Sequence, residues 1–359
     1  MKKNIFRRFI WILIPFLIFC LGSCDMSMED PVAGMSSREM IELHTRGVSR
    51  AVLTVGIVQN GQMSFRVYGQ NGRELPNREH IYEIGSITKV FTAQLFAKAI
   101  SENLVSLDDS IERFLDLPRR GYYPTIRRIL SHTSGYELDY FGMVISPHNI
   151  VPGVNPFYGL TKRTLLDYIG RINLDNRSYP HLYSNFGYGV AGLVIENIYN
   201  EDYTSLMNNY LKNNLGLSNT SISEGKGDLS NYWVWDRGNA YIPTGGLVST
   251  VTDMLKYAQM QITKTPSYVS IIHNIESLIE SAPPHHHNPE LNFRMDAFGN
   301  GWAIDTVNNI IWHGGTTSSF NAYIGVDLGN DIAVVVLTNT GRQSISTWAI
   351  GSTILKELR

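Results

Sequence analysis

The sequence predicts a mixed α/β fold, in which an antiparallel sheet of about five strands is flanked by helices and carries an inserted α-rich lobe. Three observations support this prediction. The 359 residues are 43% hydrophobic and 17% charged, as in a globular chain with a sizeable core. Strand-like segments lie near both ends of the chain, and helical periodicity fills the middle. This composition excludes disordered and collagen-like proteins.

Strand signals open and close the body of the chain. Residues 51–59 are rich in β-branched side chains, Asn60-Gly61 is a hairpin signal, and residues 63–68 return as a second strand. Later segments also alternate or are apolar in the manner of strands: 301–307, 310–313, 321–326 and 331–339. Because strands occur early and late, we expect both chain ends, about 46–115 and 240–359, to build one α/β unit.

Helical spacing marks the elements between these strands. Ile87, Val90, Phe91 and Leu95 repeat at helical intervals directly after Gly85-Ser86. Further helices are predicted over 185–198, 203–211 and 344–358, the last of these closing the chain. The residues from about 116 to 239 therefore form a helical lobe, and the cleft between the lobe and the α/β unit is the expected site.

The first 23 residues have the pattern of a secretory signal peptide. The opening eight residues are basic, and Phe9–Leu21 is an apolar run that is too short to span a membrane. The formal net charge is −2, with 30 basic against 32 acidic residues, so no basic excess indicates a nucleic-acid partner. We expect an exported protein with no nucleic-acid ligand.

The end of this leader predicts a lipid anchor. Leu21-Gly22-Ser23-Cys24 resembles the lipobox of bacterial lipoproteins, in which the cysteine becomes the lipidated first residue. Cys20 would leave with the leader, so Cys24 would be the only thiol and no disulfide could form within the chain. We expect membrane attachment through Cys24 at the bacterial cell envelope, periplasmic or surface-exposed, with residues 24–45 as a polar tether. An ordinary cleaved signal followed by an idle cysteine is the alternative.

A search for catalytic motifs leaves one serine. The chain contains no G-x-S-x-G, H-E-x-x-H or C-x-x-C, and the adjacent histidines 285–287 are typical of a solvated loop rather than a metal site. Ser86-Ile87-Thr88-Lys89 is an S-x-x-K at a helix start, which places the amine of Lys89 one turn from Ser86. A buried amine can accept the serine proton. Alone, the pattern also suits a helix-capping serine with an exposed lysine.

Two further motifs follow in a fixed order, Tyr183-Ser184-Asn185 and His313-Gly314-Gly315. With them the chain resembles the serine β-lactamase and penicillin-binding-protein superfamily, in its class C β-lactamase-like branch. That branch carries S-x-x-K, Y-x-N and then K-T-G or H-x-G. Additional matching landmarks are the stretches 103–109, 129–135 and 243–250. The resemblance spans about residue 48 to the C-terminus and implies the β-lactamase/transpeptidase fold.

The resemblance implies a role for each motif residue. Ser86 would attack the substrate carbonyl and form an acyl-enzyme, and Lys89 and Tyr183 would share its proton, with either one as the base. Asn185 would bind the substrate amide and Lys89. The substrate would lie against an edge strand that carries His313, Gly314 and Gly315, and the backbone N–H groups of Ser86 and Thr316 would form the oxyanion hole. Seen alone, Tyr183 suits a packed core tyrosine and Asn185 a helix cap.

Two histidines receive different interpretations. We interpret His132, in the H-T-S-G stretch, as a hydrogen-bonded turn residue rather than part of a catalytic triad. His313 stands where the β-lactamases of the family carry a charged lysine, so a substrate carboxylate should bind more weakly here. The sequence predicts an enzyme without a metal or cofactor that hydrolyses small amides or esters, with D-amino-acid-containing peptides as the leading substrates. A carboxylesterase, a β-lactamase and a non-catalytic penicillin- or peptidoglycan-binding lipoprotein are the alternatives.

Overall fold

A computed structural model of the chain describes residues 34–141, 151–279, 292–341, 343 and 345–359. In these ranges the helices are α1 (Ser37–Thr45), α2 (Thr88–Ser101), α3 (Ile126–Leu130), α4 (Lys162–Ile169), α5 (Asn185–Tyr199), α6 (Tyr203–Asn209), α7 (Ile242–Gly245), α8 (Val251–Thr263) and α9 (Thr347–Leu358). The strands are β1 (Leu53–Gln59), β2 (Gln62–Tyr68), β3 (Glu74–Leu75), β4 (Tyr82–Glu83), β5 (Ser221–Ile222), β6 (Leu247–Ser249), β7 (Ser277–Leu278), β8 (Ala297–Phe298), β9 (Ala303–Asp305), β10 (Ile310–Thr316), β11 (Asn321–Asp327) and β12 (Ile332–Thr338).

The main sheet is antiparallel and joins both ends of the chain, as the sequence predicts. Its order is β3-β2-β1-β12-β11-β10-β9-β8-β7, so the first hairpin pairs directly with the last strand. The five central strands have seven residues each. Four short strands extend the sheet to nine. Strand β9 lies within the predicted segment 301–307, whereas β3, β7 and β8 have two residues each, which is too few for an alternation signal. A second sheet, β4-β6-β5, lies next to the catalytic motifs.

Strand β12 is buried on both faces. Val334 and Val336 pack with α9, while Val335 and Leu337 pack in the larger core that includes α8. Helix α8 approaches so closely that a Cβ at Gly56 of β1 would lie 2.6 Å from a methyl group of Val251. The apolar run at residues 332–338 thus reflects a central strand between two helical layers.

The body begins earlier than the sequence predicts. Helix α1 lies inside the expected tether and starts with a capping box, in which Ser36 and Glu39 bond each other's backbone N–H groups. Met40 and Ile41 of this helix are buried in the cluster that includes α9. The tether prediction is therefore wrong for Ser37–Thr45. The weak periodicity hid the helix, because nine residues give only two and a half turns.

Candidate active site

Ser86 lies on a tight turn that a glycine makes possible. Residues Gly85–Ile87 form a 3-10 turn directly before α2, and we call them the nucleophile turn. Gly85 has φ +50°, and a Cβ at this position would lie 2.7 Å from the backbone nitrogen of Thr316. A side chain there would push the end of β10 away from the turn. The glycine thus brings Ser86 and Thr316 close together.

Lys89, in the first turn of α2, is fully buried beside the serine. Its Nζ lies 3.2 Å from Ser86 Oγ and donates a hydrogen bond to the Thr244 carbonyl at 2.8 Å. Burial lowers the pKa of Lys89 well below its ordinary value, and no ion pair with a carboxylate is found for it among the described residues. The uncharged amine is therefore favoured, and an uncharged amine is a base.

Tyr183 reaches the same serine from the lobe. A hydrogen bond joins its hydroxyl to Ser86, and its ring lies 4.9 Å below Lys89 Nζ. Burial raises the pKa of Tyr183 above its ordinary value, so the phenol keeps its proton at neutral pH. Because burial opposes the charged forms of both Tyr183 and Lys89, a phenolate paired with a lysine ammonium is not favoured here.

His132 holds the Y-S-N segment in place. The backbone N–H of Ser184 donates to His132 Nδ1 at 3.0 Å, and the imidazole packs against the Tyr183 ring with centroids 4.4 Å apart. Since a backbone N–H only donates, Nδ1 carries no proton and the ring is neutral; burial lowers its pKa well below the ordinary value. With φ +58°, His132 is the hydrogen-bonded turn residue that the sequence predicts.

Ser184 fixes the start of α5, which carries Asn185 as its first residue. The Ser184 hydroxyl accepts the Gly187 N–H at 2.9 Å and donates to the Glu137 carbonyl at 2.6 Å. The Asn185 backbone N–H donates to Leu138 O at 2.9 Å. The hydrogen bonds of Lys89 in the described region go to Ser86 and Thr244, so the expected bond between Asn185 and Lys89 is not among them.

The two glycines of β10 face opposite sides of the strand. A Cβ at Gly314 would lie 1.9 Å from the indole nitrogen of Trp348 in α9, and a Cβ at Gly315 would lie 1.9 Å from the Ile84 carbonyl. No side chain fits at either position. The backbones of the nucleophile turn and of the end of β10 therefore lie close together, which places the N–H groups of Ser86 and Thr316 on adjoining segments, as an oxyanion hole requires.

His313 precedes these glycines and is buried. Its Nδ1–H donates to the Gly314 carbonyl at 2.7 Å, which leaves Nε2 as an acceptor. Burial, and then the positive charge that Lys89 can carry, lower the pKa of His313 to about 3. The imidazole is therefore neutral at pH 7 and offers no charge to a substrate carboxylate.

The structure brings together six of the expected residues: Ser86, Lys89, Tyr183, His313, Gly315 and Thr316. The sequence indicates the P-T-G-G stretch only as a landmark and does not reveal the role of Thr244, whose carbonyl accepts a hydrogen bond from Lys89. Nor does it reveal the role of Glu83, a buried carboxylate three residues before Ser86. Neither role has a sequence signal, because both depend on contacts between segments distant in the chain.

Some expectations fall outside the described part of the chain. Cys24, the leader and the three adjacent histidines 285–287 all lie there. Among the residues that the structure does describe, no group of three or more metal-ligating side chains converges. No helix within those ranges is long and apolar enough to cross a membrane.

Fold and site together are those of the serine β-lactamase and penicillin-binding-protein superfamily. The model of the Beta-lactamase family matches residues 37–345, and the chain belongs to that family. The match begins at the first residue of α1, which agrees with the start of the folded body.

Two curated relatives are each 23% identical to the chain over the aligned residues. Protein flp of Staphylococcus aureus (strain COL) is 23% identical over 288 residues, which is 74% of this chain and 54% of that protein. The D-alanyl-D-alanine-carboxypeptidase/endopeptidase AmpH of Escherichia coli is 23% identical over 223 residues, 58% of this chain and 56% of AmpH. The chain thus spans about half the length of the curated relatives that it matches.

Solved structures share the fold. A penicillin-binding protein homologue of Pyrococcus abyssi, described as octameric, superposes with a TM-score of 0.67 at 21% identity, covering 90% of this chain and 75% of its own. A β-lactamase/D-alanine carboxypeptidase of Yersinia pestis superposes with a TM-score of 0.65 at 19% identity, covering 89% of this chain and 95% of its own. A class C β-lactamase of Rhodobacter sphaeroides superposes with a TM-score of 0.63 at 17% identity, covering 86% of this chain and 94% of its own.

Proposed function

We propose that the protein is an envelope-anchored serine hydrolase that cleaves small amides or esters through an acyl-enzyme on Ser86. One observation carries this proposal. The buried amine of Lys89 lies 3.2 Å from Ser86 Oγ, in surroundings that lower its pKa. A serine beside an uncharged amine has a base within hydrogen-bond reach, which a capping serine with an exposed lysine would lack.

The geometry supports Lys89 as the base in acylation. The amine takes the Ser86 proton as Oγ bonds to the substrate carbonyl carbon, and the backbone N–H groups of Ser86 and Thr316 stabilise the oxygen as it becomes negative. The tetrahedral intermediate then loses its amine or alcohol, which receives the proton through Lys89 or the Tyr183 hydroxyl. Water repeats the sequence on the acyl-enzyme and releases the acid.

Peptides that contain D-amino acids are the leading substrates. The export signal would place the site in the envelope, where such peptides occur in peptidoglycan. Two matched proteins, AmpH and the Yersinia pestis protein, are described as D-alanine carboxypeptidases. Strand β10 lies between β9 and β11 and is not the expected edge strand. Because β9 pairs with it only over residues 310–312, an extended substrate would align with the backbone of residues 313–316 on that side.

Carboxylester hydrolysis is the second candidate, and His313 favours it. A neutral imidazole gives no charge-assisted bond to the carboxylate that D-alanyl peptides and β-lactams carry. A neutral ester has no carboxylate to bind at this position, so the lack of a positive charge on His313 does not weaken its binding. The same observation makes efficient β-lactam hydrolysis the weaker alternative.

A substrate panel tests these candidates. We expect the wild type to hydrolyse at least one of a D-Ala-D-Ala peptide, a cephalosporin and p-nitrophenyl butyrate, and Ser86→Ala to lose that hydrolysis. Ser101→Ala, at the exposed end of the same helix, is the matched control and should keep it. Preference for the butyrate ester would select the esterase. Activity that survives in Ser86→Ala would refute the mechanism, and no turnover by the wild type would favour the binding lipoprotein.

The lipid anchor is a separate part of the proposal. It rests on the lipobox-like stretch that ends in Cys24. Cys24→Ser should release the full-length protein from membranes in a fractionation experiment, whereas Cys20→Ser, within the leader, should leave it membrane-bound. Membrane association that persists in Cys24→Ser would refute the anchor without affecting the proposed catalysis.

A further inference from the structure

Glu83 is a buried carboxylate close to the nucleophile that the proposed reaction does not use. It lies in β4, three residues before Ser86, and is only 2% exposed. Among the described residues no lysine, arginine or histidine forms an ion pair with it. A carboxylate buried without a cation is costly and persists only where its hydrogen bonds compensate for the lost solvation.

The hydrogen bonds of Glu83 reach two other parts of the molecule. One oxygen accepts the backbone N–H of Trp233, which comes from the lobe, and the other accepts the Thr317 hydroxyl at 2.6 Å. Thr317 directly follows Thr316 at the end of β10, and its hydroxyl also accepts the Phe320 N–H at 3.2 Å. We call Thr317–Phe320 the β10–β11 turn.

The side chain of Trp233 is also hydrogen-bonded to the β10–β11 turn. The indole N–H donates to Ser318 Oγ at 2.7 Å, and the Gly153 N–H donates to that oxygen at 3.1 Å. Glu83 thus belongs to a closed set of bonds that joins β4, the lobe and the β10–β11 turn. The two expected oxyanion donors flank this network of hydrogen bonds, because Ser86 lies shortly after β4 and Thr316 lies directly before the β10–β11 turn.

We propose that Glu83 is a positioning residue of the oxyanion hole, whose ionised carboxylate fastens the β10–β11 turn to the nucleophile turn and so sets the separation of the Ser86 and Thr316 N–H groups. This inference rests on the proposed acyl transfer at Ser86. Glu83 touches no reacting atom in this arrangement, and its effect passes through Thr317.

The chemistry of the carboxyl group makes this link dependent on pH. An ionised carboxylate accepts from both donors, whereas a protonated one must donate through one oxygen. Burial raises the pKa of Glu83 to about 7, although both hydrogen bonds oppose that shift. The titratable group that faces Glu83 from the lobe is Tyr232, and burial raises the pKa of this tyrosine to about 12. In the small sheet Glu83 pairs with Val248 of β6, which does not titrate. Near neutral pH, Glu83 is therefore the group that titrates here.

Two pairs of variants test the inference. Glu83→Gln mimics the protonated acid, so at pH 8 we expect about a tenfold lower kcat with KM little changed, and a profile from pH 6 to 8 without the wild-type rise near pH 7. Thr317→Val removes the hydroxyl and should lower kcat similarly, while Thr317→Ser keeps it and should restore the rate. Glu196→Gln is the control, because that carboxylate also accepts a backbone N–H but lies in the lobe.

A measurement of stability separates this inference from the proposed function. Because folding raises the pKa of Glu83, its ionisation lowers stability as pH rises from about 4.5 to about 7. The thermal midpoint of the wild type should fall relative to that of Glu83→Gln over this window, whether or not a substrate is known. An unchanged pH–rate profile in Glu83→Gln, or a Thr317→Val variant as active as Thr317→Ser, would overturn the inference. If Ser86→Ala loses activity while the Glu83 and Thr317 variants keep the wild-type rate, the proposed function is supported and this inference is not.

Discussion

Burial sets the protonation state of the residues around Ser86. Lys89, Tyr183 and His313 all have pKa values displaced toward the neutral form, and desolvation is the largest cause for each. The surroundings of the nucleophile therefore disfavour a lysine ammonium, a tyrosine phenolate and a histidine imidazolium. This combination suits proton transfer from Ser86 to Lys89 and does not suit strong binding of an anionic substrate.

A change at His313 tests the electrostatic part of this account. We expect His313→Lys to raise kcat/KM for a substrate with a free carboxylate by about tenfold relative to its methyl ester, because a charged bond adds about 1.5–3 kcal/mol where a neutral one adds less. The ratio of the two rates is the measurement. His313→Gln is the control, since it adds no charge and should leave the ratio unchanged. An equal ratio in the wild type and His313→Lys would place the carboxylate elsewhere.

Residue chemistry near the nucleophile was only partly predictable. Spacing in S-x-x-K and the order of the three motifs indicated Ser86, Lys89 and Tyr183, which the structure brings together. The Thr244 carbonyl and the Glu83 carboxylate carry no such pattern, because each meets its partner only after distant segments pack. The neutral state of Tyr183 was also unpredictable, since it depends on how deeply the site is buried.

At the level of elements, close backbone packing joins the nucleophile turn to β10. At Gly85 and Gly315 the nucleophile turn and the end of β10 lie so close together that a Cβ atom on either glycine would clash with neighbouring backbone atoms. The segments carry the two expected oxyanion donors. The distance between β10 and the nucleophile turn therefore depends on the absence of side chains at these two glycines, and any added atom would increase it.

Gly315→Ala tests the importance of this contact. The new methyl group would lie 1.9 Å from the Ile84 carbonyl, so β10 must move away from the nucleophile turn. We expect at least about a 100-fold loss in kcat/KM, the size seen when an oxyanion donor is removed, with a destabilisation of about 1–3 kcal/mol. Gly121→Ala is the control, because nothing lies within 4 Å of its Cβ position. Full activity in Gly315→Ala would show that the oxyanion is stabilised by other groups.

Long elements were predictable and short ones were not. The hairpin β1–β2, strands β10 to β12 and the closing helix follow from alternation or apolar runs over seven or more residues. The sequence predicts a tether where helix α1 lies, because the buried face of this helix comprises few residues. The two-residue strands carry no pattern. The 3-10 turn that holds Ser86 differs from the predicted helix start because Gly85 has a positive φ.

For the whole molecule, both chain ends build the sheet, and the middle supplies the lobe that carries Tyr183. Strand signals near both chain ends and helical spacing between them predict this division, and the solved structures share the fold. Burial lowers the pKa of several histidines, so folding favours their neutral form: His44, His132, His273 and His313.

These histidines predict destabilisation in acid. A histidine whose folded pKa is depressed contributes stability above the unfolded value of about 6.5, and this stability is lost as pH falls below it. His273, with a pKa lowered to about 4, lies outside the catalytic motifs. We expect the stability advantage of the wild type over His273→Gln to shrink by about 2 kcal/mol between pH 7 and pH 5, measured by urea unfolding. A constant difference would show that His273 is not neutralised by folding.

The central claim is that Ser86 is an acylatable nucleophile, and covalent labelling tests it most directly. The protein without residues 1–24 is incubated with a fluorophosphonate and, separately, with a fluorescent penicillin, and the modified residue is located by mass spectrometry. The account predicts fluorophosphonate label on Ser86 and none in Ser86→Ala; penicillin label at the same residue would add the penicillin-binding activity. Label on another residue, or no label from either reagent on the folded protein, would contradict the account.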